Sequence, residues 1–342
     1  MTRRLRALVV TGVLFVVAVA VAVLLPVPYV VLGPGVTLNT LGDDPAGKPI
    51  LTITGGTVND TSGNLNLTTV SVSGGRVNAV QALVGWLRGD QIVVPRASVY
   101  PPDQSDQQTD AQNAKDFTDS QNSAEAAAFC ELGYPEGFGV LSISTDTARK
   151  ALQVGDQLVS VAGTAVDSPD ALRAVLATQQ PGATVPVVVR RGSGPVDLQV
   201  TLSAPVSGAS GASIGIGVGQ ACLAPYRIDF GLADEIGGPS AGLMFALGIV
   251  DKIGDDDVTD GRFIAGTGTI DASGKVGPIG GIQLKMIAAK DAGASVFLAP
   301  ADNCTDVRGN IPSGLDVVKV TTLQDALSSL DTLERGGDVP HC

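Results

Sequence analysis

The sequence predicts an α+β chain behind one membrane-spanning helix. Three observations carry this reading. Ala7 to Leu25 is an uncharged run of nineteen residues. Residues 133–204 then hold a unit of short strands with one helix, and from Ile214 onward β-type segments alternate with apolar helical segments.

The nineteen residues of the first run would extend about 28 Å as a helix, close to the ~30 Å core of a bilayer. Arg3, Arg4 and Arg6 precede it and are expected to stay in the cytoplasm, which leaves the chain after Pro26 outside. A cleaved signal peptide is the other reading, with Ala20-Val21-Ala22 at the cleavage site. The apolar run continues past that site to Leu25, which favours a single-pass anchor in the cytoplasmic membrane.

The 342 residues suffice for about two to three domains. Net charge is −12, and no basic patch or stripe is visible, which excludes a nucleic-acid binder. With 43 glycines and 4% aromatics, the core is expected to be Val, Leu, Ile and Ala between tight turns. The four cysteines, Cys130, Cys222, Cys304 and Cys342, would all face an oxidising compartment. No CxxC pair occurs, and the single histidine, His341, cannot complete a zinc site of the usual spacing, so disulfides are expected rather than a metal. The preferred pairing joins Cys304 to Cys342 and Cys130 to Cys222; sequence alone leaves the other pairings open.

Along the chain, Ile50 to Thr54 and Leu65 to Ser73 read as strands, and Val77 to Leu87 has helical spacing. Residues 101–122 are the most polar stretch and read as a mobile loop or flap, before an Ala-rich helix over Ser123 to Leu132. Ser168 and Pro169 start a helix as N-cap and N1. Ser240 to Ile253 and Gln283 to Ala292 read as helices.

Ser240 sits in Gly238-Pro239-Ser240-Ala241-Gly242, between a glycine turn and an apolar helix. Unpaired amides gather at a helix N-terminus and stabilise an oxyanion. The alternative is a plain N-cap serine. A serine nucleophile needs a neighbouring base. His341 lies in a Pro-His-Cys tail, so an esterase triad on this GxSxG segment is set aside, and lysine becomes the leading base. Lys285 shares a helix face with Ile282, Met286 and Ala289. Burial on that face would lower its pKa and let it act as a neutral base; the alternative is a snorkelling surface lysine.

Gly238-Pro-Ser-Ala-Gly242, Gly266-Thr-Gly-Thr-Ile270, Gly274 to Gly281, Lys285 and Val296-Phe-Leu-Ala-Pro300 together resemble the proteolytic domain of Lon-type proteases. The resemblance implies Ser240 as nucleophile, Lys285 as general base, and supporting roles for Thr267, Gly238 and Pro239. Gly63 to Thr69 and Ser120 to Ala127 are similar to the opening of the same domain, which implies a protease domain split by an insertion. The insertion resembles a PDZ domain: Gly137-Phe138-Gly139-Val140 matches the carboxylate-binding loop, and Val154-Gly-Asp-Gln-Leu158 the following strand entry. That implies capture of peptide C-termini by strand addition. The implied organisation is an anchor over 1–31, protease over 32–132 with the polar loop 101–122, PDZ over 133–204, protease over 205–333, and a tail over 334–342.

The order of parts resembles membrane-anchored bacterial PDZ–Lon proteins. That resemblance implies a homo-oligomeric endopeptidase acting on extracytoplasmic unfolded proteins or exposed tails, with no cofactor. No GxxxxGK[ST] phosphate loop occurs, so cleavage is expected without ATP. Family members often carry an Asp three residues before the serine; here that position is Gly237, with Asp234 and Glu235 further off. The other readings are a catalytically silent PDZ adaptor at the membrane, and a protein that cleaves only itself, at Pro101 to Asn122.

Overall fold

The computed structural model describes residues 3–73, 77–192, 194–205, 210–232 and 236–342. They divide into two units: Met1–Val36 with Thr69–Ala111, and Thr37–Thr68 with Gln112–Cys342. Asp234 and Glu235 lie outside the described residues.

In the first unit, Arg3–Leu24 is one helix of 22 residues with no buried side chain, long and apolar enough to cross a membrane. The chain leaves it through Val27, whose N–H donates to Val77 O at 2.9 Å. Asn78 and Gln81 form a reciprocal capping box that starts the helix Ala79–Leu87. The beginning of strand Tyr29–Asn39 pairs antiparallel with Ile92–Pro95.

The second unit is built on parallel strands. Asp316–Val320 pairs with Val296–Pro300, which pairs with Phe263–Gly266. Phe263–Gly266 in turn pairs with Asn64–Val72, in the register Gly266 to Leu67. Parallel neighbours need long crossovers, here the helix Ile282–Ala292 between the Phe263 and Val296 strands. Phe245, Leu243, Leu67, Phe129 and Leu298 are fully buried in the core. The helix Gly242–Ile253 is buried along nearly its whole length, as its all-round apolar sequence requires.

Residues 101–122 are not the loop expected from their polarity. Asp106–Glu131 is one helix of 26 residues. Ser105 and Gln108 cap its start by reciprocal bonds. Gln112 with Asp116 and Lys115 with Asp119 pair at i,i+4 along its exposed face. Its apolar burial begins at Phe117 and is concentrated in the second half, at Ala124, Ala127 and Phe129 among others, so polarity masked the first turns.

A β-rich segment has the strand order Ile216–Cys222, Glu136–Ile143, Gln157–Val161, Thr184–Arg191, Gly194–Thr201, with the Ser168-capped helix Pro169–Leu176 beside it. Its sheet therefore runs past the expected boundary at 204. Gly137, Phe138, Gly139 and Val140 are not a loop either. They lie within strand Glu136–Ile143, opposite Ala221, Gln220, Gly219 and Val218, with Gly139 also opposite Gln157. Val140 N–H donates to Asp156 O at 2.9 Å. Glycine allows a close approach of backbones here: a Cβ at Gly139 would stand 2.7 Å from Asp156 O.

Disulfides join Cys130 to Cys222 and Cys304 to Cys342. The C-terminal segment is held further by Lys319 N–H to Pro340 O and by His341 against Asp316, both 2.7–2.8 Å.

Candidate active site

Ser240 precedes the first turn of helix Gly242–Ile253, one residue before the N-cap Ala241. Two features set the turn. Gly238 has φ +83°, a conformation that side chains with a Cβ disfavour. Gly242 packs where a Cβ would stand 2.8 Å from both Ile270 and Ser120. The turn is tied to the long helix twice: Gly238 N–H donates to Asn113 O at 2.9 Å, and Ser120 Oγ donates to Pro239 O at 3.0 Å. The Ser240 carbonyl accepts from Gly268 N–H at 2.9 Å and from Thr267 Oγ1 at 3.0 Å.

Lys285 comes from helix Ile282–Ala292, which starts after Gly281 in the left-handed conformation. Asn303 fixes the approach to that helix, accepting from Ile279 N–H and donating to Ile279 O, both 2.9 Å. Ile282, Lys285, Met286 and Ala289 are all buried, so this face turns inward and the snorkelling alternative does not apply.

Lys285 Nζ lies 2.8 Å from Ser240 Oγ, 2.8 Å from Thr68 O and 3.0 Å from Thr267 Oγ1. Lys285 is 3% exposed, while Ser240 is half-buried and open to a ligand. Burial pushes the lysine down to about 7, because the charged form loses its hydration.

The three partners fit the charged amine as three acceptors, and the neutral amine as two acceptors and one donor. A neutral amine has two N–H donors and one lone pair. Thr68 O can only accept. Thr267 Oγ1 spends its proton on the Ser240 carbonyl and therefore also accepts from lysine. In the neutral form both lysine hydrogens are then used and the lone pair faces the Ser240 hydroxyl; in the charged form the third N–H donates to Ser240 Oγ. The arrangement can remove a proton from serine near neutral pH.

Ser240, Lys285, Thr267, Gly238 and Pro239 thus stand together, and Gly137 to Val140 stand in the β-rich sheet. Sequence reasoning missed Thr68, Ser120 and Asn113. No side-chain pattern marks Thr68, because the atom that meets Lys285 is its backbone carbonyl. Among the described residues, no cluster of His, Cys, Asp or Glu is arranged to hold a metal.

Residues 233–331 match the family model of the Lon protease (S16) C-terminal proteolytic domain. Over this segment the chain is similar to a Lon-type proteolytic domain. Lon protease 2 of Bacillus subtilis (strain 168) is 35% identical over 104 residues, 30% of this chain and 18% of that protein. Lon protease 1 of Sorangium cellulosum (strain So ce56) is 39% identical over 112 residues, 30% of this chain and 14% of that one. The chain therefore spans less than a fifth of the length of these relatives. The matches support a serine peptidase. A solved PDZ domain of an SdrC-like protein from Listeria monocytogenes is 24% identical, covering 24% of this chain and 86% of that one, with a TM-score of 0.22.

Proposed function

We propose that the chain is an ATP-independent serine endopeptidase with a Ser240–Lys285 dyad, anchored in the cytoplasmic membrane by Arg3–Leu24 and acting outside it on unfolded proteins or exposed tails. The buried Lys285 amine, 2.8 Å from Ser240 Oγ, is the observation that carries this reading. Lys285 takes the Ser240 proton as the serine attacks a peptide carbonyl. The leading amides of helix Gly242–Ile253 hold the oxyanion. The lysine then protonates the leaving amine, and water releases the acyl-enzyme.

The parallel pairing of Asn64–Val72 with Phe263–Gly266, and the Lys285 bond to Thr68 O, support a protease domain that begins before the β-rich insertion. Where the insertion captures peptides, its end strand Ile216–Cys222 suits strand addition. A silent adaptor would have no use for a desolvated lysine aimed at a serine.

Labelling with a fluorophosphonate or a peptide boronate tests the dyad. An adduct on Ser240 that is lost in both Ser240→Ala and Lys285→Ala, with loss of peptide cleavage, is expected. Cleavage unchanged in Ser240→Ala would overturn the proposal.

A further inference from the structure

The helix Ala79–Leu87 wears its apolar side outward. A surface helix normally turns that side to the core. Here Val80, Leu83, Val84, Trp86 and Leu87 are all exposed, with Leu83 at 55%, Trp86 at 72% and Leu87 at 69%. They form one continuous face at helical spacing. The opposite side packs on the unit: Gly85 is the helix's one buried residue, and a Cβ there would stand 2.9 Å from Val31. Between the helix and the strand runs an open groove of about 340 Å³, lined by Val31, Val77, Val80 and Val84. So large an apolar patch marks an interaction surface.

Its position identifies the occupant. Helix Ala79–Leu87 begins where the chain leaves the Arg3–Leu24 helix. Pro26 bridges to Asn78, Val27 N–H donates to Val77 O at 2.9 Å, and the two helices contact each other. A residue at the end of a spanning helix lies at the membrane boundary, so the short helix starts at that level. Its composition suits that depth. Trp favours the headgroup zone, and Arg88 at the C-cap can reach phosphates. After the spanning helix, residues 69–111 hold three Arg against four Asp, so apolar burial rather than attraction to anionic lipid draws this part down.

We infer that helix Ala79–Leu87 lies in the headgroup–acyl boundary of the bilayer that Arg3–Leu24 spans, with Leu83, Trp86 and Leu87 immersed. This rests on the proposed anchor and adds a second contact with lipid. The second contact holds the unit against the membrane instead of leaving it on a free tether.

Trp86 is the single tryptophan of the chain, so its emission reports this site alone. The full chain is reconstituted into phosphatidylethanolamine–phosphatidylglycerol vesicles, with and without acyl-brominated lipid, and co-flotation is read in parallel. Co-flotation with blue-shifted Trp86 emission, quenched by brominated lipid and shielded from iodide, is expected. The exposed double variant Leu83→Ser/Leu87→Ser should still float, while its emission shifts to the red and lipid quenching falls. Co-flotation with Trp86 open to iodide and unaffected by brominated lipid would overturn the inference and leave the anchor standing. Trp86 shielded from both quenchers would overturn it in favour of a protein partner. Loss of co-flotation would remove the anchor, and the inference with it.

Discussion

The Ser120 hydroxyl donates to the Pro239 carbonyl at 3.0 Å, so the long helix Asp106–Glu131 grips the residue immediately before Ser240. Asn113 O, two helical turns earlier, grips Gly238 through its N–H. The approach of the serine to Lys285 is therefore set by the stretch of chain that looked least structured. Ser120→Ala should lower kcat about fivefold to tenfold with KM little changed, the size of one net hydrogen bond. A fall in KM and kcat together would show that the helix shapes the substrate site instead.

Lys285 titrates at about 7 through burial, which fixes the sign of the pH dependence. Below that value the lysine is charged and has no lone pair for Ser240. The rate of cleavage should therefore rise with pH and level off above about 7. Stability follows the same direction. The folded pKa is depressed below the unfolded value of about 10.4, so the unfolded chain binds the extra proton in between, and stability rises across that window. Lys285→Arg cannot deprotonate and should lose about 100- to 10,000-fold in rate. A profile flat from pH 6 to 9, measured on a small peptide substrate, would contradict a lysine base.

Thr267 joins the two halves of the site, donating to the Ser240 carbonyl and accepting from Lys285. Thr267→Val keeps the shape and removes both bonds. The rate should fall about 10- to 100-fold, as for hydrogen bonds that involve a charged group. The pH midpoint should also move below that of the parent, because the ammonium loses an acceptor. A rate loss with no shift in the midpoint would mean that Thr267 only supports the backbone.

Gly238 offers a separate test of the turn. Its φ is +83°, and an added Cβ would meet no atom within 4 Å. Gly238→Ala therefore introduces conformational strain without a clash. It should cost about 1–2 kcal/mol in thermal or denaturant unfolding and lower cleavage by displacing Ser240. Unchanged stability would show that the turn relaxes freely.

The site was legible where short-range patterns carry chemistry. Ser240 stands beside glycines that only a sharp turn requires, and Lys285 sits alone on an apolar face, so both could be read from spacing. Thr68 could not, because its role depends on a backbone carbonyl brought in by a parallel strand pair 217 residues away in sequence from the lysine. The polar helix failed for a related reason. Asp106 to Asp119 shows no apolar stripe, and what holds it helical is a capping box and i,i+4 pairs, which average out in composition. Gly137 to Val140 read as a loop and lie in a strand, because glycine serves equally in a turn and in a strand where another backbone comes close.

The disulfides link stability to compartment. Cys130–Cys222 closes a separation of 92 residues and clamps the end strand of the β-rich sheet to the helix that carries Ser120. Cys304–Cys342 closes 38 residues and fastens the C-terminal segment. Loop-closure entropy gives about 4–5 kcal/mol for the first and about 4 for the second. A Cys130→Ser/Cys222→Ser variant should therefore unfold at a lower temperature than Cys304→Ser/Cys342→Ser. It should also lose more cleavage, since it frees the helix that holds Pro239. Equal losses of stability with full cleavage in both variants would show that the helix is held by its own core contacts, through Phe129 and Ala127, without help from the sulfur bridge.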